Sequence, residues 1–234
     1  MSVAQRQVAE VYRALGRAGM NAGSSGNVSV RTRHGMVITP SGCSAASITD
    51  ADPVATTLDG AARGKRIPSS EWFMHAAIYR AYASAAAIVH THSDACTALA
   101  CLNEKLPAFH YLVVRFGGDD VRCAPYVTFG TPALAEVAVA ALANRTACLL
   151  ANHGMIVHGA NADEALTAAI TLETLARQYL LARAAGKVRL LTKSEMQAAR
   201  ERFKTYGPAG NIPAAKQPRP FRSDIRSSCS RAAG

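Results

Sequence analysis

No unbroken apolar run in the sequence comes near the roughly 18 residues that a membrane-spanning helix requires, so no membrane partner is expected. The N-terminus lacks the apolar stretch of an export signal, since Arg6, Glu10 and Arg13 interrupt it. Cys43, Cys96, Cys101, Cys123, Cys148 and Cys229 never form a Cys-x-x-Cys pair. That scatter argues against a cysteine zinc site and suits reduced thiols in the cytoplasm better than a disulfide framework. Aromatic residues are few, at 6%, and do not interleave with basic stretches as they do on single-stranded nucleic-acid surfaces. Acidic side chains are also in deficit, 16 against 26 Lys and Arg, for a formal charge of +10. A surplus of four positive charges follows Gly207, in a segment rich in Pro, Gly, Ser and Ala with no amphipathic period. Residues 208–234 are therefore expected to be a basic, disordered tail behind one folded domain, 1–207. The remaining positive charge is not gathered on one helix, so nucleic acid is not expected as a partner, whereas a small anionic substrate fits.

What is present is the pattern of an α/β domain. Hydrophobic residues at 49% and charged residues at 18% suit a globular core. Val8, Val11, Tyr12 and Leu15 repeat at helical spacing, with Gly19 as a stop. Asn27–Arg31 and Met36–Thr39 flank Thr32-Arg33-His34-Gly35 as a hairpin. Ser69 or Ser70 can cap a helix through Trp72, Ala76 and Tyr79. A strand over 87–91 is followed by a helix from Ser93 or Asp94, and another helix spans 131–144. Two strands, 147–151 and 155–158, meet at Asn152-His153-Gly154, and helices over 162–185 and 194–206 close the domain. A sheet covered by helices on both faces is the simplest packing for this mixture.

Chemistry concentrates in a few places. In a strand, His90 and His92 point the same way about 6.6 Å apart, close enough to close on one ion, although two histidines at a strand end also arise without a metal. His153, between a strand and Gly154, is either a turn residue or the third imidazole of an open catalytic site. Glu71 is either a first-turn acid complementing the helix dipole, or a carboxylate serving as fourth ligand or acid/base. His75 shares its helix face and is a competing, weaker ligand candidate. Three small-residue segments could each cradle an anion: Gly23-Ser24-Ser25-Gly26-Asn27, Thr39-Pro40-Ser41-Gly42 and Ser69-Ser70. Gly60-Ala61-Ala62-Arg63-Gly64-Lys65 imitates a nucleotide-binding loop but is one residue short, lacks the following Ser or Thr, and reads as a solvated loop.

These motifs, with Val89-His90-Thr91-His92 and Asn152-His153-Gly154, stand in an order and spacing that resembles the class II aldolase/adducin family from about residue 5 to residue 207. His110-Tyr111, Gly117-Gly118, Cys123-Ala124-Pro125-Tyr126, Thr128-Phe129-Gly130-Thr131 and Lys204-Thr205-Tyr206-Gly207 are similar to its L-fuculose-1-phosphate aldolase branch. The resemblance implies a three-layer α/β/α fold around a mixed, mainly antiparallel sheet, and a fourfold-symmetric homotetramer with active sites between subunits. It implies a divalent metal, zinc or a substitute, on His90, His92 and His153, with Glu71 alternating between ligand and acid/base. By the same resemblance, the phosphate of a sugar substrate would rest on Ser24, Ser25, Asn27, Ser41, Gly42, Ser69 and Ser70. Tyr111 would act catalytically in a neighbouring subunit's site, Tyr206 would be a further catalytic residue, and Tyr206 and Phe129 would lie near the aldehyde's tail. The implied reaction is cleavage of a ketose 1-phosphate, L-fuculose 1-phosphate or a 5-deoxy or 5-methylthio pentulose analogue, to dihydroxyacetone phosphate and an aldehyde. A pentulose-5-phosphate 4-epimerase and a methylthioribulose-1-phosphate dehydratase share the metal motif, and an adducin-like interaction module shares the fold without catalysis.

Overall fold

Alternation along three neighbouring strands divides the apolar residues into two sets. Ala87 and Val89, Ala147 and Leu149, and Met155 and Val157 point into one core, whereas Ile88, Cys148, Leu150 and Ile156 point into another. A strand buried on both faces must be interior to a sheet with helices on each side. The computed structural model, which describes residues 1–206, has that form. The basic segment 208–234 expected from the sequence lies outside the described residues.

Seven strands make the sheet: β1 (Asn27–Thr32), β2 (Gly35–Ile38), β3 (Val54–Thr56), β4 (Ala87–Thr91), β5 (Arg122–Ala124), β6 (Ala147–Leu150) and β7 (Gly154–Gly159). Their order is β3-β2-β1-β4-β7-β6-β5. Every pairing is antiparallel except β5 with β6, so the sheet is mixed and mainly antiparallel, as expected. The helices are α1 (Val3–Arg17), α2 (Trp72–Ala81), α3 (Asp94–Cys101), α4 (Pro132–Ala141), α5 (Ala162–Ala185) and α6 (Lys193–Lys204), with a 3₁₀ segment over Tyr111–Phe116. On one face, α1, α3 and α5 cover the sheet around Tyr12, Leu99, Leu172 and Leu175. On the other, α2 and α4 do so around Met74, Ile78, Leu134 and Ala138.

Several boundaries follow from local chemistry. The Asn161 side chain accepts from the Glu164 N–H and starts α5, and Gly186 follows its last residue. Ser2 and Gln5 form a reciprocal capping box on α1. The expected Ser69 or Ser70 cap on α2 is corrected: Glu71 occupies the cap position and makes no side-chain cap bond. The Ser69 hydroxyl instead accepts from the Glu71 N–H, at 3.3 Å. This leaves the Glu71 carboxylate free to turn away from the helix end. Strands β3 and β5 have no counterpart in the sequence pattern, because three residues are too few to establish a period of two, and the six-residue 3₁₀ segment has none either. The segment resembling a nucleotide-binding loop is exposed through Ala61–Lys65, with only an isolated bridge from Ala62 to Thr56.

Candidate metal centre and substrate cleft

The β1–β4 register sets the first pair of polar residues. Asn27 of β1 lies opposite His90 of β4, and both point to the α2 face. His92 leaves the end of β4 just before α3, and His153 sits in the β6–β7 turn beside it. That turn is tight because Asn152 takes φ 53°, a left-handed conformation that asparagine tolerates. Gly154 then approaches Thr91 so closely that a Cβ would stand 2.3 Å from the Thr91 carbonyl oxygen. Backbone contact between the two turns therefore brings residues some sixty positions apart to one point.

There the three imidazole rings form a near-threefold set. Their centroids are 4.8–4.9 Å apart and their planes meet at 71–74°. His90 Nε2 lies 3.0 Å from His92 Nε2 and 3.0 Å from Glu71 Oε2. Glu71 Oε1 lies 3.2 Å from His153 Nε2 without hydrogen-bond alignment. One donor atom from each of Glu71, His90, His92 and His153 falls within 4.8 Å of all the others. Ligands at 2.0–2.1 Å around one tetrahedral ion would sit roughly 3.3 Å apart, which is the scale of these separations.

The chemistry of the donors tests the fit independently. His90 is fully buried, and its Nδ1 lies 2.8 Å from the Met155 carbonyl oxygen, which can only accept. Nδ1 must therefore carry the hydrogen, and neutral His90 presents a bare Nε2 lone pair to the centre. A histidine anchored in this way is poised as a ligand. Three rings this close cannot all hold protons, and an unpaired buried carboxylate is costly. A divalent cation satisfies all four groups at once. Burial lowers the His90 pKa, but the Glu71 carboxylate more than reverses this. Burial raises the Glu71 pKa, yet the positive field of His90 and contacts from His153 hold it below the ordinary carboxylate range. His92 is pulled down to about 4, first by burial and then by His90 and His153, which keeps its ring neutral and able to ligate.

From this centre a cleft of about 480 Å³ opens past His92 and His153, within the range of small-molecule sites. Ser24, Ser25, Asn27, Ser41, Gly42, Ser69, Ser70 and Phe129 all line it, so the three anion-cradle segments are brought together. Hydrogen bonds tie them: Ser41 N–H to the Ile67 carbonyl and Ser69 N–H to the Thr39 carbonyl. Tyr12 joins the remaining segment, 23–27, to the residue that follows Gly42, its hydroxyl shared between the Ser25 and Cys43 carbonyls at 3.1 and 3.0 Å. No signal in the sequence marked Tyr12 beyond its place in the core. Asn27 is less free than its cleft position suggests, since its amide nitrogen donates to Glu71 Oε2 at 2.9 Å and its oxygen faces His75. His75 itself points away from the metal centre, with Nδ1 2.7 Å from Ser29 Oγ, and is not among the converging donors. Burial, followed by the charge of His90, lowers its pKa to about 3.

Tyr111 and Tyr206 lie elsewhere. Both are exposed and flank Phe203, with Tyr111 stacked on it at 6.0 Å and Tyr206 edge-on at 5.9 Å. With Leu112, Arg115 and Arg202 they line a separate surface groove rather than the cleft of their own chain.

Comparison with known proteins agrees with this geometry. Residues 6–180 match the model for the class II aldolase and adducin N-terminal domain. The chain is 44% identical over 195 residues to the 5-methylthioribulose-1-phosphate/5-deoxyribulose-1-phosphate aldolase of Rhodospirillum rubrum, covering 83% of this chain and 88% of that protein. It is 41% identical over 203 residues to the L-fuculose phosphate aldolase of Escherichia coli K12, covering 86% and 94%. A solved structure of an L-fuculose 1-phosphate aldolase superposes with a TM-score of 0.83 at 38% identity, over 87% of this chain and 97% of that one.

Proposed function

The chain belongs to the class II aldolase and adducin N-terminal domain family, and on that premise we propose that it is a zinc-dependent lyase cleaving a ketose 1-phosphate to dihydroxyacetone phosphate and an aldehyde. The observation that carries this reading is the convergence of Glu71, His90, His92 and His153 at the mouth of a cleft walled by three hydroxyl-bearing turns. An interaction module without catalysis has no use for an intact ligand set, so the adducin-like alternative is disfavoured.

His90, His92 and His153 would hold the ion, with zinc the metal best suited to three imidazoles and one carboxylate. When bound, the cation supplies Lewis-acid stabilisation of the negative charge that develops as the carbon–carbon bond breaks. Ser24, Ser25, Ser41, Gly42, Ser69 and Ser70 hold the phosphate, joined by the second N–H of the Asn27 amide. Binding energy collected there positions the sugar without touching the reacting atoms. Tyr111 from a neighbouring copy of the chain helps to remove the proton from the hydroxyl that becomes the aldehyde oxygen. The electron pair of the broken bond passes to the enediolate of dihydroxyacetone phosphate, and Glu71, having taken up a proton from solvent to balance the one lost by way of Tyr111, delivers it to the enediolate carbon. Phe129 and Tyr206 lie toward the aldehyde tail. A fourfold homotetramer would bring the Tyr111 groove of one copy to the cleft of the next. Free Cys43, Cys96, Cys101, Cys123 and Cys148 are compatible with a reducing cytoplasm.

The two relatives are named for different sugar phosphates, so the substrate is tested across both kinds. The zinc-loaded protein is to be incubated with L-fuculose 1-phosphate, 5-deoxyribulose 1-phosphate and 5-methylthioribulose 1-phosphate. Release of dihydroxyacetone phosphate from at least one, abolished by a chelator and restored by zinc, is the expected result. Conversion without that product would indicate epimerase or dehydratase chemistry instead, and cleavage by the metal-free protein would end the Lewis-acid account.

A further inference from the structure

The α2-facing side of β1 carries Asn27 and Ser29, a polar pair that alternation would assign to solvent. Both are buried, at 3% and 0% exposure. Opposite them on α2 stand His75 and Tyr79, equally buried. Four polar side chains enclosed between a strand and a helix are costly unless each is satisfied. They are satisfied in one continuous line. Tyr79 Oη lies 2.8 Å from Ser29 Oγ, Ser29 Oγ 2.7 Å from His75 Nδ1, and His75 Nε2 2.6 Å from Asn27 Oδ1. The Asn27 amide nitrogen then lies 2.9 Å from Glu71 Oε2.

The direction of every bond is forced from the Glu71 end. A carboxylate only accepts, so the amide nitrogen of Asn27 must face it and the amide oxygen must face His75. That oxygen also only accepts, so His75 Nε2 carries the hydrogen. Neutral His75 then accepts at Nδ1 from the Ser29 hydroxyl, which in turn accepts from Tyr79. At the far end, Arg31 anchors the line. Its guanidinium lies over the Tyr79 ring at 4.6 Å and donates to the Tyr79, Tyr82 and Ala85 carbonyls.

We infer that His75 is a positioning residue: through Asn27 it holds one oxygen of Glu71 fixed beside the imidazoles while the other stays free for proton transfer. The inference deepens the aldolase reading and rests on it for the chemistry of Glu71. Without the Nε2–H of His75, Asn27 could rotate its amide and turn an oxygen toward the carboxylate, and Glu71 would lose its tether.

The test compares His75→Gln, whose amide nitrogen can reach the Nε2 position, with His75→Asn, which reaches only the Nδ1 position. Zinc-loaded proteins are assayed by NMR for exchange of dihydroxyacetone phosphate hydrogens with deuterium oxide. His75→Asn should lower kcat about 10- to 100-fold with KM little changed, whereas His75→Gln should stay within about threefold of the unaltered protein. In a Glu71→Gln background, His75→Asn should cause no further loss. An equal loss in both backgrounds, or equal loss from Asn and Gln, would show a merely structural role and overturn the inference. Two further readouts do not need activity. Nitrogen-15 NMR of the metal-free protein should show His75 as the Nε2–H tautomer, and the Nδ1–H form would overturn the relay. Zinc affinity by chelator competition should show the same dependence on Glu71, and an additive effect would overturn the inference. Absence of exchange by the unaltered zinc-loaded protein would count against the aldolase reading, while these two readouts still decide the tether.

Discussion

Glu71 joins the candidate metal centre to the protein's hydrogen-bond network. It touches His90, His153 and Asn27 within 3.2 Å, and Oε1 has no aligned partner. Glu71→Gln preserves shape and removes the exchangeable proton of an acid/base. It should cut exchange of dihydroxyacetone phosphate hydrogens by roughly 10²- to 10⁴-fold, with unfolding temperature and circular dichroism near those of the unaltered protein. His75 makes a pH prediction for the metal-free form. Its folded pKa is about 3, whereas in the unfolded chain it takes up a proton near the ordinary histidine value, about 6.5. Between those values the unfolded state binds the extra proton, so stability must fall as pH drops from about 6.5 toward 3. The slope for one such group is about 1.4 kcal/mol per pH unit. Denaturant titrations at pH 7 and pH 5 should show a loss in the unaltered protein about 2 kcal/mol larger than in His75→Gln.

Turns and helix ends set the geometry of the site at the scale of elements. The turn into β1 depends on Gly26, at φ 71°, where a Cβ would stand 2.7 Å from the His90 carbonyl oxygen and 2.6 Å from Asn21 Oδ1. Gly26→Ala therefore adds backbone strain and pushes on the strand that bears His90. A loss of about 2–4 kcal/mol is expected in denaturant titration, accompanied by reduced zinc affinity. Helix α3 begins directly after His92. The Glu173 carboxylate of α5 accepts from the Ala95 and Cys96 N–H groups at its first turn, 2.9 Å each. Glu173→Ala leaves those donors and the helix dipole without their partner and should cost about 1–2 kcal/mol, read from the shift in denaturant midpoint. Of the element boundaries, α5 was the most legible: the expected span 162–185 is the observed one, and the structure shows Asn161 and Gly186 at its ends. Strands β3 and β5 were not, since pairing partners rather than their own three residues define them.

For the whole molecule, one chain supplies a cluster of three imidazoles and a carboxylate beside a cleft walled by hydroxyl-bearing turns, while Tyr111 and Tyr206 sit on another surface around Phe203. If sites are shared between copies, two defective chains can complement each other. Glu71→Gln and Tyr111→Phe proteins, each slow alone, should regain cleavage when co-expressed under separate tags and purified as hybrids, because some sites then combine an intact Glu71 with an intact Tyr111. Hybrids no faster than either parent would place Tyr111 outside the neighbouring site.

The sequence by itself determined the local vocabulary of this protein: the helical stripe of α1, the β1–β2 hairpin, the His-x-His strand end, the three small-residue turns and the apolar alternation that calls for helices on both faces. Each depends on neighbours within a few residues, where periodicity and side-chain type suffice. Only the tertiary structure decided that His153 meets His90 and His92, that the turns share one cleft, and that Asn27, Ser29, His75 and Tyr79 are enclosed rather than solvated. A polar face on a strand reads the same whether water or a helix covers it. Its role is fixed by the long-range packing of α2, which brings its partners from some fifty residues away.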